Sequence, residues 1–231
     1  LLGNLHATAE QSLGDHAHRQ IGSSIKPLSV YAPAFEVGGF SPATVIRDMP
    51  LRYDLDEEAN KDLEPDEELK YKPYPRNSDR KYTYSRTILT GIMDSVNAVA
   101  VNTLDAIGTR YSYNFAKKLF RINGLLEKGA NGTTDIDYSP LALGGLTNGA
   151  TVRDMASAYA TFANNGVYRR GRTFTKVYDS KGNLVIDNVQ ETEEILSQKT
   201  VDYVNYCLDQ AVDHGTGHMA DIKGQDVCGK T

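Results

Sequence analysis

The segment at residues 22–35 limits the possible folds more than any other part of this sequence. A turn residue, Gly22, is followed by Ser23, and Lys26 comes three positions later. Apolar residues recur from there at steps of three and four: Ile25, Leu28, Ala32 and Phe35. This spacing predicts a helix with one buried face. Because positions i and i+3 share a face, Ser23 and Lys26 are predicted to point into the same space.

The start of a helix favours chemistry at a serine. The backbone N–H groups of the first turn have no intrahelical partners, and they lie at the positive end of the helix dipole. Such surroundings stabilise an alkoxide or an oxyanion, and a lysine whose pKa is lowered by burial or by a nearby cation can serve as base. Ser-x-x-Lys alone also describes an N-cap serine with a solvated lysine. The rest of the chain has to decide between these interpretations.

Composition and charge exclude several other classes of protein. The chain has 231 residues, enough for one large domain or two small ones, and its net charge of −5 argues against nucleic acid as a partner. Apolar stretches such as residues 98–101 are far too short to cross a bilayer. Cys207 and Cys228 have no metal-ligand spacing and the five histidines are scattered, so we predict no metal site. The two cysteines are interpreted as half-buried thiols.

Periodicity and turn residues predict a chain of helices with short strands. Beyond the first helix, apolar spacing predicts five more: residues 84–94, 99–107, 113–120, 154–164 and 198–213. A strand-like piece at residues 40–48 ends in Asp48, and a hairpin is predicted around the turn at residues 180–182. Residues 54–70, which are rich in carboxylates, are interpreted as a solvated insertion, and residues 71–79 as an ordered loop.

Two further short patterns follow the first in a fixed order. Ser95-x-Asn97 begins 72 residues after Ser23, and Lys230-Thr231 begins 135 residues after Ser95. Each pattern is common by itself. In this order the three form the signature of the serine transpeptidase and β-lactamase superfamily, which the sequence resembles.

The resemblance extends beyond the three patterns. The stretch RQIGSSIKPL at residues 19–28 is similar to the nucleophile segment of class A penicillin-binding proteins, which typically reads RQ-P-GSSFKP, so Ile21 is a departure. The stretches LALGG at residues 141–145 and YATFANNG at residues 159–166 are similar to that family's region between the second and third motifs. The resemblance covers nearly the whole chain from Arg19 on.

The resemblance implies a fold and a domain organisation. The fold class is α/β (α+β), with a helical subdomain packed on an antiparallel sheet that is incomplete in this chain. Residues 19–231 would form a partial transpeptidase domain that ends within the Lys-Thr-Gly motif, preceded by a lead-in loop at residues 1–18. Both ends look cut, since the chain does not open with Met and Thr231 falls within a predicted strand.

The resemblance also implies D,D-transpeptidation through an acyl-serine intermediate. Ser23 would attack the carbonyl of a D-alanyl-D-alanine stem peptide of peptidoglycan, with Lys26 as the preferred base. Ser95 would relay a proton to the departing D-alanine. Lys230 would lower the pKa of Lys26 and attract the substrate carboxylate. β-Lactams would acylate the same serine, and no cofactor or metal is implied.

Two residues would bind the substrate in this scheme. Asn97 would bond the substrate amide, and Thr231 would donate to the substrate carboxylate. The oxyanion hole would pair the Ser23 N–H with one from the strand that Lys230 and Thr231 begin. In the family that second donor lies two residues past the threonine, so we expect this chain by itself to acylate poorly or not at all.

Class A penicillin-binding proteins also carry an N-terminal membrane helix and a glycosyltransferase domain, and neither is present in this chain. The full-length protein would therefore be anchored at the outer face of the bacterial cytoplasmic membrane.

A β-lactamase or D,D-carboxypeptidase, which transfers the acyl group to water, is an alternative function. The long spacing to the third motif and the lack of a clear deacylating glutamate segment argue against a lactamase. A non-catalytic β-lactam-binding module or inactive fragment is the other alternative.

Overall fold

The computed structural model of the protein describes residues 17–37, 39–61, 63–64 and 67–231. Most of the predicted lead-in loop, residues 1–16, lies outside the described residues. The α-helices are α1 (Ala32–Val37), α2 (Ile88–Met93), α3 (Asn97–Ile107), α4 (Thr109–Asn114), α5 (Val152–Ala163) and α6 (Gln198–Asp213). Two stretches of 3₁₀-helix and three of π-helix are also present in the described residues: Gly22–Ile25, His218–Ala220, Pro27–Tyr31, Phe115–Leu119 and Ser139–Leu143.

The strands form separate antiparallel pairs. They are β1 (His18–Arg19), β2 (Val45–Asp48), β3 (Arg52–Leu55), β4 (Tyr71–Tyr74), β5 (Tyr84–Thr87), β6 (Ala150–Thr151), β7 (Val167–Arg169), β8 (Lys176–Tyr178), β9 (Leu184–Asp187) and β10 (Thr192–Glu194). The pairs are β1 with β6, β2 with β5, β3 with β4, β7 with β10 and β8 with β9. The helices together with these small antiparallel sheets confirm the predicted fold class.

The segment that carries Ser23 and Lys26 crosses the centre of the molecule as a composite helix. It begins as a 3₁₀ turn at Gly22–Ile25, widens to π geometry at Pro27–Tyr31 and continues as α1. Its apolar side chains join one core with those of the surrounding helices: Ile25, Leu28, Phe35, Ile88, Leu104, Phe120, Phe162, Val204 and Leu208. Burial of this stripe is the main stabilising term that fixes the segment in place.

Hydrogen bonds from buried serines hold the composite helix to its neighbours. Pro33 has no N–H to donate to the carbonyl of Ser29, four residues earlier. That carbonyl instead accepts the hydroxyl of Ser112 in α4. The Ser29 hydroxyl donates in turn to the carbonyl of Leu141. The proline thus frees an acceptor that a neighbouring helix uses.

Several predicted elements are confirmed. Helix α6 occupies the predicted residues 198–213, and Ser197 caps it by accepting from the Thr200 N–H. Helix α5 begins after Thr151, whose hydroxyl accepts from the Asp154 N–H at 3.0 Å. The predicted hairpin is present as β8 and β9.

Other predictions are wrong at the level of strands. Residues 84–87 form strand β5 rather than the first turn of a helix, because they pair with β2, and only Ile88–Met93 is helical. Strand β3 extends into the predicted insertion, and the predicted loop begins with its partner strand β4. Lys230 and Thr231 have no strand geometry. Just before them the Gly229 N–H donates to the Leu208 carbonyl of α6 rather than to a neighbouring strand.

No helix among the described residues combines the length and the apolar character that crossing a membrane requires.

Candidate active site

Ser23 and Lys26 lie at the start of the composite helix, as predicted. Ser23 is half-buried in the 3₁₀ turn, and its carbonyl accepts the backbone N–H of Lys26. Gly22 precedes the serine with φ of +52°, a left-handed conformation that favours glycine. The serine is therefore partly accessible while the lysine, one turn further on, is buried in the interior.

The Lys26 side chain is completely buried and connects the first motif to the second. Its Nζ donates to the carbonyl oxygen of Ser95 and to Oδ1 of Asn97, each at 2.8 Å. Within the described residues no hydrogen bond joins Lys26 Nζ to Ser23 Oγ. Catalytic hydrogen bonds are often loose in unliganded sites, so this geometry is compatible with proton transfer once a substrate is bound.

The electrostatics of the pocket make Lys26 unusual. Burial lowers its pKa to about 7, with the positive charge of Lys230 acting in the same direction. A lysine of ordinary pKa is almost entirely protonated at neutral pH, whereas this one is neutral in a large fraction of molecules. Neutral Lys26 can accept a proton, so the site contains a base of suitable strength one helical turn after Ser23.

The second motif is held in a strained turn. Ser95 has φ of +55°, a conformation that residues other than glycine rarely adopt and that tends to occur at functional sites. The turn directs the Ser95 carbonyl toward Lys26 and the Ser95 hydroxyl toward the third motif. Two residues later Asn97 begins α3, and its Nδ2 donates to the carbonyl of Arg76 at 2.9 Å.

The third motif lies beside the second. Ser95 Oγ donates to the carbonyl of Thr231 at 3.2 Å, and Lys230 Nζ donates to the same oxygen. Lys230 is half-buried, which lowers its pKa to about 8. The Thr231 hydroxyl is exposed and lies 2.5 Å from the hydroxyl of Thr216. The structure therefore brings all three predicted motifs together.

Thr216 contacts the third motif and the chain just before the second, and was not singled out by the sequence reasoning. Its N–H donates to the carbonyl of Met93, two residues before Ser95, at 3.0 Å. Its hydroxyl contacts the hydroxyl of Thr231. It thus links the second motif to the third. Thr216 stands between two glycines at the end of α6, a pattern that by itself indicates only the end of a helix.

A second missed set of residues supports the nucleophile turn from behind. A Cβ added to Gly144 would lie 2.1 Å from the Gly22 carbonyl oxygen, so the two backbones are in direct contact. Gln20 donates to the Leu146 carbonyl at 2.6 Å, and the Tyr159 hydroxyl donates to the Ser24 carbonyl at 2.7 Å. Gly144 and Tyr159 belong to the stretches that resembled the family, residues 141–145 and 159–166, and Leu146 directly follows the first of them.

Two solved structures share this fold. The crystal structure of penicillin-binding protein 1A from Haemophilus influenzae has a TM-score of 0.73 at 19% identity, covering 96% of this chain and 35% of that one. The D,D-transpeptidase domain of peptidoglycan glycosyltransferase from Eggerthella lenta has a TM-score of 0.70 at 19% identity, covering 98% of this chain and 56% of that one. The fold is that of penicillin-binding protein transpeptidase domains, within the β-lactamase and transpeptidase class.

The sequence comparisons reach the same class independently. Residues 17–231 match the family model for the penicillin-binding protein transpeptidase domain. The chain belongs to this family of serine acyltransferases.

Curated relatives are similar over most of the chain. Penicillin-binding protein 1A of Clostridium acetobutylicum is 32% identical over 215 residues, which is 92% of this chain and 25% of the relative. Penicillin-binding protein 1F of Bacillus subtilis is 32% identical over 217 residues, 93% of this chain and 26% of the relative. The chain therefore spans about a quarter of the length of these relatives.

Proposed function

We propose that this chain acts as a D,D-transpeptidase domain that cross-links peptidoglycan stem peptides through an acyl-Ser23 intermediate. The observation that carries the proposal is the buried Lys26 ammonium, which is held by Ser95 and Asn97 one helical turn after Ser23. Its pKa of about 7 provides a base at physiological pH. The family membership supports the same assignment.

In the proposed acylation step, Ser23 Oγ attacks the carbonyl carbon of the penultimate D-alanine of the donor peptide. The hydroxyl proton passes to Lys26 Nζ as the new C–O bond forms. The C–N bond to the terminal D-alanine then breaks as Ser95 Oγ passes a proton to the departing nitrogen, and Ser95 Oγ receives in return the proton that Lys26 took from Ser23. The Ser23 backbone N–H supplies one donor of the oxyanion hole.

In the second step, the amine of an acceptor peptide attacks the acyl-Ser23 carbonyl. A new C–N bond forms, the bond to Ser23 Oγ breaks, and the proton from the amine returns to the serine through Lys26. Lys26 is therefore a base in the first half of each half-reaction and an acid in the second. A pKa near the working pH suits both tasks.

Asn97, Lys230 and Thr231 are proposed to bind the substrate. Asn97 Oδ1 is occupied by Lys26, and one of the two Nδ2 hydrogens is donated to the Arg76 carbonyl. The other hydrogen is proposed to bond the substrate amide, since a side-chain amide has two N–H donors. Lys230 would attract the C-terminal carboxylate of the stem peptide, and the exposed hydroxyl of Thr231 would donate to it.

The partners and the location are part of the same proposal. The D-Ala-D-Ala stem peptide is the substrate, and β-lactams acylate Ser23 in its place. The named relatives are penicillin-binding proteins, so the chain would work outside the cytoplasmic membrane, as part of a membrane-anchored protein that also carries a glycosyltransferase domain.

Acylation by benzylpenicillin tests the nucleophile. The protein is produced from its complete reading frame, incubated with benzylpenicillin, and its mass is measured intact. We expect one benzylpenicilloyl group per chain, located on Ser23 by peptide mapping and absent from Ser23→Ala. Ser24→Ala is the matched control, because the neighbouring hydroxyl donates to the Ile21 carbonyl at 2.5 Å and should be dispensable for acylation.

Two outcomes would contradict the proposal. Labelling that persists in Ser23→Ala, or no labelling of the wild-type protein, would remove the nucleophile assignment. Rapid multiple turnover of nitrocefin, in place of one slow acylation per chain, would favour the alternative of acyl transfer to water.

A further inference from the structure

A buried carboxylate lies behind the second motif. Asp48, at the end of β2, is fully buried. Its Oδ2 accepts from the Thr83 N–H at 2.9 Å, from the Thr83 hydroxyl at 2.7 Å and from Arg86 Nε at 3.0 Å. Its Oδ1 accepts from Asn77 Nδ2 at 2.9 Å. Burial alone would raise the pKa of Asp48, but the bonds from Thr83, Asn77 and Arg86 outweigh burial and hold the pKa below its ordinary value. The group is therefore a stable anion.

Two of these donors, Asn77 and Arg86, also bond residues on either side of the second motif. Asn77 is nearly buried, and its Oδ1 accepts the backbone N–H of Ala98 at 2.9 Å, immediately after Asn97. The same loop presents the Arg76 carbonyl to Asn97 Nδ2. Asn77 is therefore bonded on one side to Asp48 and on the other to the first turn of α3.

Arg86 makes the corresponding connection on the other flank. Its Nε donates to Asp48, and its NH1 donates to Asp94 Oδ2 at 2.7 Å. Asp94 immediately precedes Ser95. A guanidinium can bridge two carboxylates in this way because its donors form a rigid planar fork.

We propose that Asp48, Asn77 and Arg86 form a clamp that positions Ser95 and Asn97 against Lys26. Arg86 bonds the chain at residue 94, and Asn77 bonds it at residue 98. The turn between these two positions is therefore restrained on both sides. In the described structure these residues make no hydrogen bond to Ser23 or Lys26, so they act as positioning residues. Their effect on catalysis rests on the proposed function.

The turn needs such support for a physical reason. Ser95 has a left-handed backbone conformation that surrounding contacts must maintain. The Ser95 carbonyl and Asn97 Oδ1 are the acceptors that fix Lys26 Nζ in the described structure. A small relaxation of the turn would move both acceptors at once and misplace the base, and displacements of about 1 Å in an active site reduce rates by about a hundredfold.

The test uses Asn77→Ala and Arg86→Lys in the protein produced from its complete reading frame. Asn77→Ala removes one arm, and Arg86→Lys keeps the charge but cannot bridge two carboxylates. Arg86→Lys also serves if Asn77→Ala does not fold. Asn123→Ala is the matched control, because Asn123 likewise donates to a nearly buried aspartate, Asp154, at 3.4 Å, and in the described structure no hydrogen bond joins it to the clamp.

The first readout is amide hydrogen exchange at Ser95 and Val96, neither of which bonds to the clamp. Their N–H groups donate to the carbonyls of Ile92 and Gly91. We expect exchange at these two amides to accelerate about tenfold in both clamp variants relative to the amides of α6, and to stay within about twofold in Asn123→Ala. Unchanged exchange at Ser95 and Val96 would overturn the proposal.

The second readout is the rate of acylation by benzylpenicillin, measured with and without Asn97→Ala. We expect Asn77→Ala to lower the rate by about tenfold or more in the wild-type background and by a clearly smaller factor when Asn97 is already Ala, since one of the two acceptors that the clamp positions is then absent. Equal losses in both backgrounds would show a general structural role and overturn the positioning role. If wild-type protein is not acylated, the proposed function fails, and the exchange readout still decides whether the clamp exists.

Discussion

Lys26 is the residue whose pKa the surroundings of the site change most in the direction that the chemistry needs. An ammonium without solvent is costly to keep charged, and the nearby Lys230 adds repulsion. The two acceptors on Ser95 and Asn97 offset part of this cost, so the charged form is still present near neutral pH. The lysine therefore stands close to its titration midpoint, where a group can both accept and donate a proton.

The first prediction concerns the charge of Lys230. In Lys230→Met the repulsion is removed, so the pKa of Lys26 should rise above about 7. The neutral lysine then appears only at higher pH, and the acidic limb of the acylation profile should move to higher pH by up to about one unit. The measurement is the rate of acylation by benzylpenicillin from about pH 5.5 to about pH 9, a range that lies on both sides of the Lys26 pKa.

Lys223→Met is the control for this prediction. Lys223 is an exposed lysine seven positions earlier in the chain. Its replacement by Met removes the same formal charge as Lys230→Met does. Its profile should coincide with that of the wild-type protein. A midpoint that does not move in Lys230→Met, or that moves equally in both variants, would rule out a direct effect of Lys230 on Lys26.

The composite helix is the element that sets the geometry of the first motif. The 3₁₀ turn holds Ser23 half-buried, and the residues behind it from Ile25 to Phe35 are all buried. At the turn, contact with the rest of the molecule is made backbone to backbone. Gly144 ends the π-helical stretch Ser139–Leu143 with φ of +79° and lies directly against Gly22. There is no room for a side chain between the two segments.

The second prediction therefore concerns Gly144→Ala. A methyl group there would lie 2.1 Å from the Gly22 carbonyl oxygen, in a backbone conformation that alanine avoids. We expect a loss of about 3 kcal/mol or more in the free energy of unfolding, from strain and overpacking together. Because the clash falls on the nucleophile turn, acylation at Ser23 should also slow in the fraction that folds. Urea denaturation and benzylpenicillin labelling measure the two effects.

Gly182→Ala separates the clash from the conformational strain. Gly182, in the turn between β8 and β9, has φ of +84°, but a Cβ there would meet nothing within 4 Å. This variant should lose only about 1 kcal/mol and acylate at the wild-type rate. Equal losses in the two glycine variants would mean that the contact between Gly144 and Gly22 is unimportant.

On the scale of the whole molecule, the three motifs come from distant parts of the chain and meet at one point. Folding therefore has to bury Lys26 as the core closes around the composite helix. The folded protein binds the Lys26 proton with a pKa of about 7, whereas an unfolded chain binds it with the ordinary lysine pKa of about 10.5. Between these values the unfolded state holds one more proton than the folded state, so raising the pH stabilises the fold.

The third prediction follows from this linkage. Relative to Lys26→Met, which cannot titrate, the wild-type protein should gain about 1.4 kcal/mol of unfolding free energy per pH unit above pH 7, and none below it. The gain should reach about 2–3 kcal/mol by pH 9. Urea denaturation of both proteins from pH 6 to 9 measures the difference. A difference that stays constant with pH would contradict a lowered pKa for Lys26.

How well the sequence predicted each element depended on how local its cause was. The helix at residues 198–213 was correct, because its apolar stripe and its capping serine are contained in the helix itself. The strand β5 was missed, because the same residues are compatible with a helix until β2 is available as a partner. The expected strand at Lys230 failed for a related reason, since strand geometry depends on a neighbouring strand. The clamp of Asp48, Asn77 and Arg86 was not predicted either, because its members become related only in three dimensions.

The sequence by itself determined the family and selected the residues that are proposed to bear the chemistry. Ser23, Lys26, Ser95, Asn97, Lys230 and Thr231 could be selected because their spacing and their neighbours are properties of the chain. Only the tertiary structure decided the pKa of Lys26 and the acceptors that its ammonium bonds. Its acceptors on Ser95 and Asn97 lie 69 and 71 positions away, and its burial is produced by the whole core. A pKa depends on solvent exclusion and on charges brought close by folding, and neither quantity is encoded at the position of the lysine itself.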